Sequence, residues 1–156
     1  VALIGENRIR AGAKNIRAFP WDACICHEAS KGAADLVLAD LPCSGLGVLG
    51  KKTDLKYRMS REQQKELAVL QRRILEVVQS YVKPGGILIY STCTIHKGEN
   101  EENAEWFLRH FPFEAVSLDS GMPAGLNIET AGRGYIQLLP GIHGSDGFFI
   151  AKFRRI

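Results

Sequence analysis

The clearest hydrophobic run is Ala34-Asp35-Leu36-Val37-Leu38-Ala39, continuous rather than alternating. Continuous runs suit parallel strands covered on both faces. This one ends in a polar loop, Asp40-Leu41-Pro42-Cys43-Ser44-Gly45. A second buried-strand run, Ile87-Leu88-Ile89-Tyr90-Ser91, also ends in a polar loop, Thr92-Cys93-Thr94. Between the two, Leu67, Leu70, Ile74, Val77, Val78 and Tyr81 recur at helical spacing. Ser60 and Gln63 form a capping box that opens this helix, and Lys83-Pro84-Gly85-Gly86 stops it. Glu99 to Arg109 predicts another helix, with Ala104, Phe107 and Leu108 on its inner face. Glu6 to Gly12 reads as the end of a helix, with Gly12 as its stop signal. Asn15 to Phe19 predicts a short strand before the turn at Pro20, Trp21 and Asp22, and Phe113 to Leu118 is a further strand candidate. Tyr135 to Leu139 and Phe148 to Phe153 flank a turn from Pro140-Gly141 to Gly147, which predicts an antiparallel hairpin.

Strand, helix, strand, helix and a closing hairpin imply an open α/β sheet. In such sheets ligands bind beyond the carboxyl ends of the strands. Both polar loops that carry a cysteine sit at such ends. Asp40-Leu41-Pro42-Cys43 and Ser91-Thr92-Cys93 are therefore expected to face one cleft.

Composition narrows the class. The chain has 156 residues, 46% hydrophobic and 24% charged, which fits one globular domain rather than a disordered or membrane protein. No apolar run approaches the ~20 residues of a membrane helix, and no basic-then-apolar signal segment opens the chain. The expectation is a cytoplasmic protein with no membrane partner. Twenty Lys and Arg against seventeen Asp and Glu leave a net charge of +3. That balance permits a nucleic-acid partner without demanding one. The four cysteines are too few for a secreted disulfide scaffold of this length, so reduced thiols are expected. Cys24-x-Cys26-His27 has neither the usual spacer nor a second ligand pair, and no metal is expected.

Position alone leaves each candidate two readings. A cysteine near a strand is commonly a small buried hydrophobe. Cys43 and Cys93 instead lie just past their runs, among Pro, Ser, Thr and Gly, where loops carry function. Asp40 is either a strand-ending turn residue or part of the cleft, and Asp22 either caps a turn or binds a ligand. Lys51, Lys52, Lys56 and Arg58 form either a solvated face or a phosphate grip beside the cleft loop.

The motifs carry a family resemblance. Asp40-Leu41-Pro42-Cys43-Ser44-Gly45-Leu46-Gly47 resembles the D-A-P-C-S-G-x-G motif of RNA 5-methylcytosine methyltransferases of the RsmB/Sun/NSUN type. Leu70-Gln71-Arg72-Arg73-Ile74-Leu75 is similar to that family's L-Q-x-x-I-L helix. Lys83-Pro84-Gly85-Gly86 with Tyr90-Ser91-Thr92-Cys93-Thr94 resembles its K-P-G-G and Y-x-T-C-S segments. Glu99-Asn100-Glu101 is similar to its E-E-N-E region. Leu139-Pro140-Gly141 and Asp146-Gly147-Phe148-Phe149-Ile150-Ala151 are similar to its closing L-P and D-G-F-F-x-A. The likeness runs over nearly the whole chain, and the bacterial RsmB-like branch is the nearest in kind.

The resemblance implies a Rossmann-like, class I sheet that uses S-adenosylmethionine. It implies transfer of a methyl group to C5 of a cytosine in RNA, with 16S ribosomal RNA the expected partner. It places the nucleophile at Cys93 and gives Cys43 a part in product release. It sets Asp40 near the cytosine edge and the cofactor, Asp22 at the adenine side of the cofactor, and Pro42 against the RNA. The family's glycine-rich D-x-C-A-A-P-G-G-K-T stretch is not among these residues. The expectation is that it precedes Val1, that residues 1–156 are the C-terminal part of the catalytic domain, and that this part alone is inactive. Leu41 stands where the family has Ala. Other readings are an inactive fragment or RNA-binding module of the same fold, or another RNA or DNA methyltransferase. Leu41-Pro42-Cys43 lacks the aromatic residue of amino-group methyltransferases, and DNA cytosine methyltransferases use the P-C cysteine as nucleophile. A binding module accounts for the basic stretch from Lys51 to Arg58 but not for two loop cysteines.

Overall fold

The computed structural model describes every residue except Lys52 and Ala124, with the side chains of Lys56 and Arg58 also outside the described set. Helix α1 spans Ala2–Arg10 and ends just before Gly12. Strand β1 is Ala34–Asp40, followed by a short helix α2, Leu55–Arg58. The long helix α3, Arg61–Val78, leads into β2, Val82–Thr92. Then come α4, Glu101–His110, and three strands: β3, Phe113–Ala115, β4, Tyr135–Leu138, and β5, Phe148–Arg155. No helix among the described residues is long and apolar enough to cross a membrane.

The sheet runs in the order β1-β2-β5-β3, with β4 also on β5. β1 and β2 are parallel, joined through α3, and Asp40 pairs with Ser91 at their common carboxyl end. β5 runs antiparallel to β2, with Thr92 opposite Phe149. On its other edge β5 pairs first with β4 and then with β3. The expected hairpin is therefore present as β4 and β5, and the sheet as a whole is mixed, with one parallel pair.

Side-chain alternation explains where the core sits. The register places Val37, Ala39, Leu88, Tyr90, Phe149, Ala151 and Phe153 on one face. Ile74 and Leu75 of α3 and Ala104 and Phe107 of α4 join that cluster. Phe107 is fully buried, with ring centroids 4.9 Å from Phe153, 5.0 Å from Phe113 and 5.1 Å from Phe111. The Ser60–Gln63 capping box forms as expected, each side chain reaching the other's backbone N–H.

Five expectations need correction. β1 is covered on one face only: Leu36 is 56% exposed and Leu38 67%. The continuous run gives apolar side chains on both faces, but no described element lies over the second. Asn15 to Phe19 forms no strand, since all five residues are exposed and no neighbouring strand offers a ladder. The third strand stops at Ala115, because the Leu118 N–H is drawn to the Ala131 carbonyl, away from β5. The helix expected from Glu99 starts at Glu101, and α3 ends at Val78, before Lys83-Pro84-Gly85-Gly86, which lies inside β2.

The aromatic cluster is the mechanical link between α4 and the sheet. Phe107→Ala is expected to cost about 3–5 kcal/mol, the usual range for deleting a buried ring. Urea unfolding of the two proteins measures it, and a loss below about 1 kcal/mol would contradict this packing.

Candidate active site at two strand ends

Parallel pairing of β1 and β2 puts both polar loops side by side. The Leu41 N–H donates to the Ser91 carbonyl at 3.1 Å, continuing the ladder one step past the strand. The Ser91 hydroxyl donates to Asp40 Oδ1 at 2.9 Å. Beyond this point the chains curl towards each other, and the Sγ atoms of Cys43 and Cys93 lie 3.2 Å apart. Both cysteines are half-buried and neither is in a disulfide.

A third segment closes the site. The Gly47 N–H donates to the Cys93 carbonyl at 3.0 Å, and the Gly147 N–H donates to the Gly47 carbonyl at 2.8 Å. Gly47 has no room for a side chain: a Cβ there would overlap the Gly147 carbonyl and stand 2.8 Å from the Cys93 carbonyl. Close backbone approach is a reason for glycine that a turn alone does not supply.

Beneath the cysteines lies a buried polar network centred on Glu99, whose side chain is fully buried. Glu99 Oε2 accepts from the Ser44 N–H at 2.9 Å and from Gln71 Nε2 at 3.0 Å. The same Gln71 amide donates to the Pro42 carbonyl at 2.9 Å. Ser44 and Thr94 join the two loops directly, hydroxyl to hydroxyl, at 2.7 Å. Asn100 Nδ2 donates to the Thr94 carbonyl at 2.9 Å and to Gln137 Oε1 at 2.7 Å, while Thr92 Oγ1 donates to Asn100 Oδ1 at 2.6 Å. Asn103 Nδ2 donates to Gln71 Oε1 at 2.8 Å, and the Tyr90 hydroxyl contacts the Glu99 carbonyl. Burial pushes the Tyr90 phenol up, so it remains a donor. An unmade bond at such a site costs about 1–3 kcal/mol, so the network fixes its loops more firmly than surface contacts would. One edge is looser. His96 Nδ1 stands 3.5 Å from Glu99 Oε1, and neither atom has a hydrogen-bond partner among the described residues.

The surroundings of Cys43 act on its thiol. Burial, and then the hydrogen bond with Cys93, push the Cys43 thiol up to about 12. Cys43 is thus a thiol at neutral pH and can point its hydrogen at the Cys93 sulfur.

Of the residues expected in the cleft, the structure brings together Asp40, Pro42, Cys43 and Cys93. Asp22 stays within its own turn, where Oδ1 accepts from the Cys24 N–H at 2.9 Å. Among the described residues no hydrogen bond ties it to the cysteine loops. Lys51 Nζ pairs with Asp146 Oδ2 at 2.5 Å, an exposed contact that helps hold the 51 and 146 segments together. Lys52 lies outside the described residues, as do the side chains of Lys56 and Arg58. Sequence reasoning assigned no role to Gln71, Glu99, Asn100 or Asn103. A signal was present for Gln71, a polar residue next to the inner stripe of Leu70, Ile74 and Leu75 on α3.

One measurement checks the thiol assignment. With Cys43 held near 12, its alkylation by iodoacetamide is expected to be slow at pH 8 and to rise steeply towards pH 11, read by peptide mass spectrometry. The thiolate fraction sets the rate, and it grows tenfold per pH unit below the midpoint. Rapid modification of Cys43 at pH 7 would contradict the assignment.

The profile of the family described as 16S rRNA methyltransferase RsmB/F matches residues 1–154. Probable ribosomal RNA small subunit methyltransferase B of Bacillus subtilis is 38% identical over 158 residues, covering 99% of this chain and 35% of that protein. Ribosomal RNA small subunit methyltransferase F of Cronobacter sakazakii is 32% identical over 157 residues, covering 99% of this chain and 32% of its own length. The chain thus spans about a third of the curated relatives it matches. Among solved structures, NSun6 from Pyrococcus horikoshii, determined with the S-adenosylmethionine analogue SFG, superposes with a TM-score of 0.83 at 29% identity. That match covers 97% of this chain and 38% of the other. A methyltransferase homolog from the same organism gives 0.80 at 32% identity, covering 99% and 50%. The paired loop cysteines, the strand-end carboxyl group and a match over almost every residue lead to one statement: this chain belongs to the 16S rRNA methyltransferase RsmB/F family.

Proposed function

We propose that the chain forms the cysteine-bearing, C-terminal part of a catalytic domain that methylates C5 of a cytosine in small-subunit ribosomal RNA in the cytoplasm. The observation that carries this reading is the 3.2 Å approach of Cys43 and Cys93 at the carboxyl ends of adjacent parallel strands, with Asp40 beside them. Cytosine C5 is too weak a nucleophile to take a methyl group unaided. A Cys93 thiolate forming a bond to C6 converts the ring to an enamine-like adduct, whose C5 is nucleophilic. After C5 is methylated its proton leaves to solvent. The electron pair restores the C5–C6 double bond, the bond to sulfur breaks, and Cys93 leaves as a thiolate.

The two other groups have parts that follow from their surroundings. Cys43, a thiol at neutral pH, donates a hydrogen bond to the departing Cys93 sulfur and so favours release. Asp40, oriented by Ser91, is exposed and can accept from the cytosine amino group, which holds the base edge in place for the attack at C6.

The donor set also fits S-adenosylmethionine. Asp22 and Asp40 are exposed carboxyl groups, and carboxyl oxygens accept from the amino and hydroxyl groups an adenosyl moiety presents. The cofactor would supply a methyl group activated by its sulfonium. NSun6 with SFG supports that choice through the shared fold. A base must leave its stack to reach the cysteines, so the RNA is single-stranded or its target base is flipped.

The test uses the intact protein with S-adenosylmethionine and small-subunit rRNA. Cys93→Ala is expected to reduce methyl transfer at least 10³-fold, as for loss of a covalent nucleophile. Cys43→Ala is expected to accumulate a protein–RNA adduct resistant to denaturing electrophoresis. Turnover by Cys93→Ala would overturn the nucleophile, and absence of any Cys43→Ala adduct would overturn the release role.

A further inference from the structure

An open groove of about 690 Å³ lies between α3 and residues 95–98, the continuation of the Cys93 loop. Its walls carry Arg61, Lys65 and Arg72 from α3 and His96 and Lys97 from the loop, against a single carboxyl group, Glu102. Val69, 57% exposed, and Ile95, 39% exposed, supply apolar surface on the two walls. Arg61, Lys65, Val69 and Arg72 follow one stripe of the helix, and the first two stand about 6 Å apart along its axis.

We propose that this groove binds the phosphate backbone of the RNA strand next to the base that enters the cysteine site. The proposal rests on the reading of that site as an RNA methyltransferase centre. Two observations carry it. The first is continuity: one wall is the direct extension of the Cys93 loop, and the His96 N–H donates to Thr94 Oγ1 at 3.2 Å. A strand whose base reaches Cys93 can continue its backbone along this wall. The second is available charge. Among the described residues no ion pair joins Arg61, Lys65 or Lys97 to a carboxyl group. Lys51, one of the four cations expected from sequence to grip phosphate, is by contrast already paired with Asp146.

Arg72 has a further part in this groove. Its Nε donates to Asn103 Oδ1 at 2.7 Å, and its guanidinium lies 5.4 Å from the centre of the Trp106 ring. It is therefore held in place, with its remaining N–H groups available for a phosphate oxygen, whereas Arg61, Lys65 and Lys97 are exposed and adjust to the strand. The apolar patches of Val69 and Ile95 suit the ribose and base faces between phosphates. Among the described residues no Phe, Tyr or Trp lines the groove, so it is expected to position the strand without reading its sequence.

The experiment measures binding of the intact protein to a single-stranded RNA oligonucleotide as a function of salt, together with steady-state methylation. The triple variant Arg61→Gln, Lys65→Gln, Lys97→Gln is compared with Arg73→Gln, an exposed cation on α3 outside the groove. Circular dichroism confirms that both are folded, and Lys97→Gln alone serves if the triple variant is not. Each lost phosphate contact lowers the slope of log K against log salt by about 0.7, so the triple variant is expected to be shallower by about 2 and the single one by about 0.7. KM for RNA rises while kcat at saturating RNA is kept, and Arg73→Gln changes neither. A slope unchanged from wild type overturns the groove and leaves the cysteine chemistry standing. Loss of kcat with an unchanged slope also overturns it. A wild-type protein that binds the oligonucleotide and shows the slope change, yet never methylates RNA, supports the groove and overturns the proposed activity instead.

Discussion

Glu99 sits where the two cysteine loops, the long helix α3 and the turn before α4 meet. Its side chain is fully buried, and it reaches the Cys43 loop through Ser44 and the helix through Gln71. A buried carboxyl group without partners is costly, so once the surrounding core has formed the loops have little freedom to leave it. The aromatic cluster around Phe107 supplies that core, and the network specifies the geometry above it. Hydrophobic burial holds α4 on the sheet without selecting where its first turn ends, and the directional bonds of Glu99, Asn100 and Asn103 do select it.

The same network bears on the two sulfur atoms. Both lie at strand ends and both are half-buried, yet Cys43 is backed by a loop pinned from below and faces the other thiol. Desolvation dominates there and keeps it protonated. Cys93 follows β2 directly and leads into the loop that lines the cationic groove. In the chemistry proposed above, Cys43 is the donor and Cys93 meets the substrate.

Much of this arrangement was legible in the sequence. Two continuous apolar runs, each ending in a polar loop with a cysteine, were enough to bring Cys43 and Cys93 to one cleft, and the capping box at Ser60 fixed the start of α3. Asp40 and Pro42 followed from the same loops. The buried network was not legible, because Gln71, Glu99 and Asn103 are residue types that ordinarily face water, and periodicity reads them as outer-face positions. The shift of the α4 start from Glu99 to Glu101 has that same cause: Glu99 turns inward to meet Ser44 and Gln71. The Asn15–Phe19 segment misled because local propensity does not reveal whether a partner strand lies alongside. Charge clustering pointed to Lys51, Lys52, Lys56 and Arg58, and the fold in addition brings Lys97 against the α3 stripe of Arg61, Lys65 and Arg72. The approach of a loop residue to a helix stripe has no signature in a linear charge pattern.

Glu99 holds the two cysteine loops at their separation. The disulfide equilibrium between Cys43 and Cys93 in glutathione redox buffers reads that separation as an effective concentration of one thiol at the other. In wild type and Glu99→Ala proteins, both folded by circular dichroism, the account predicts an equilibrium constant at least about tenfold lower in the variant, equivalent to about 1.4 kcal/mol. An unchanged constant in a folded Glu99→Ala protein would contradict it, since the loops would then be held together by something else.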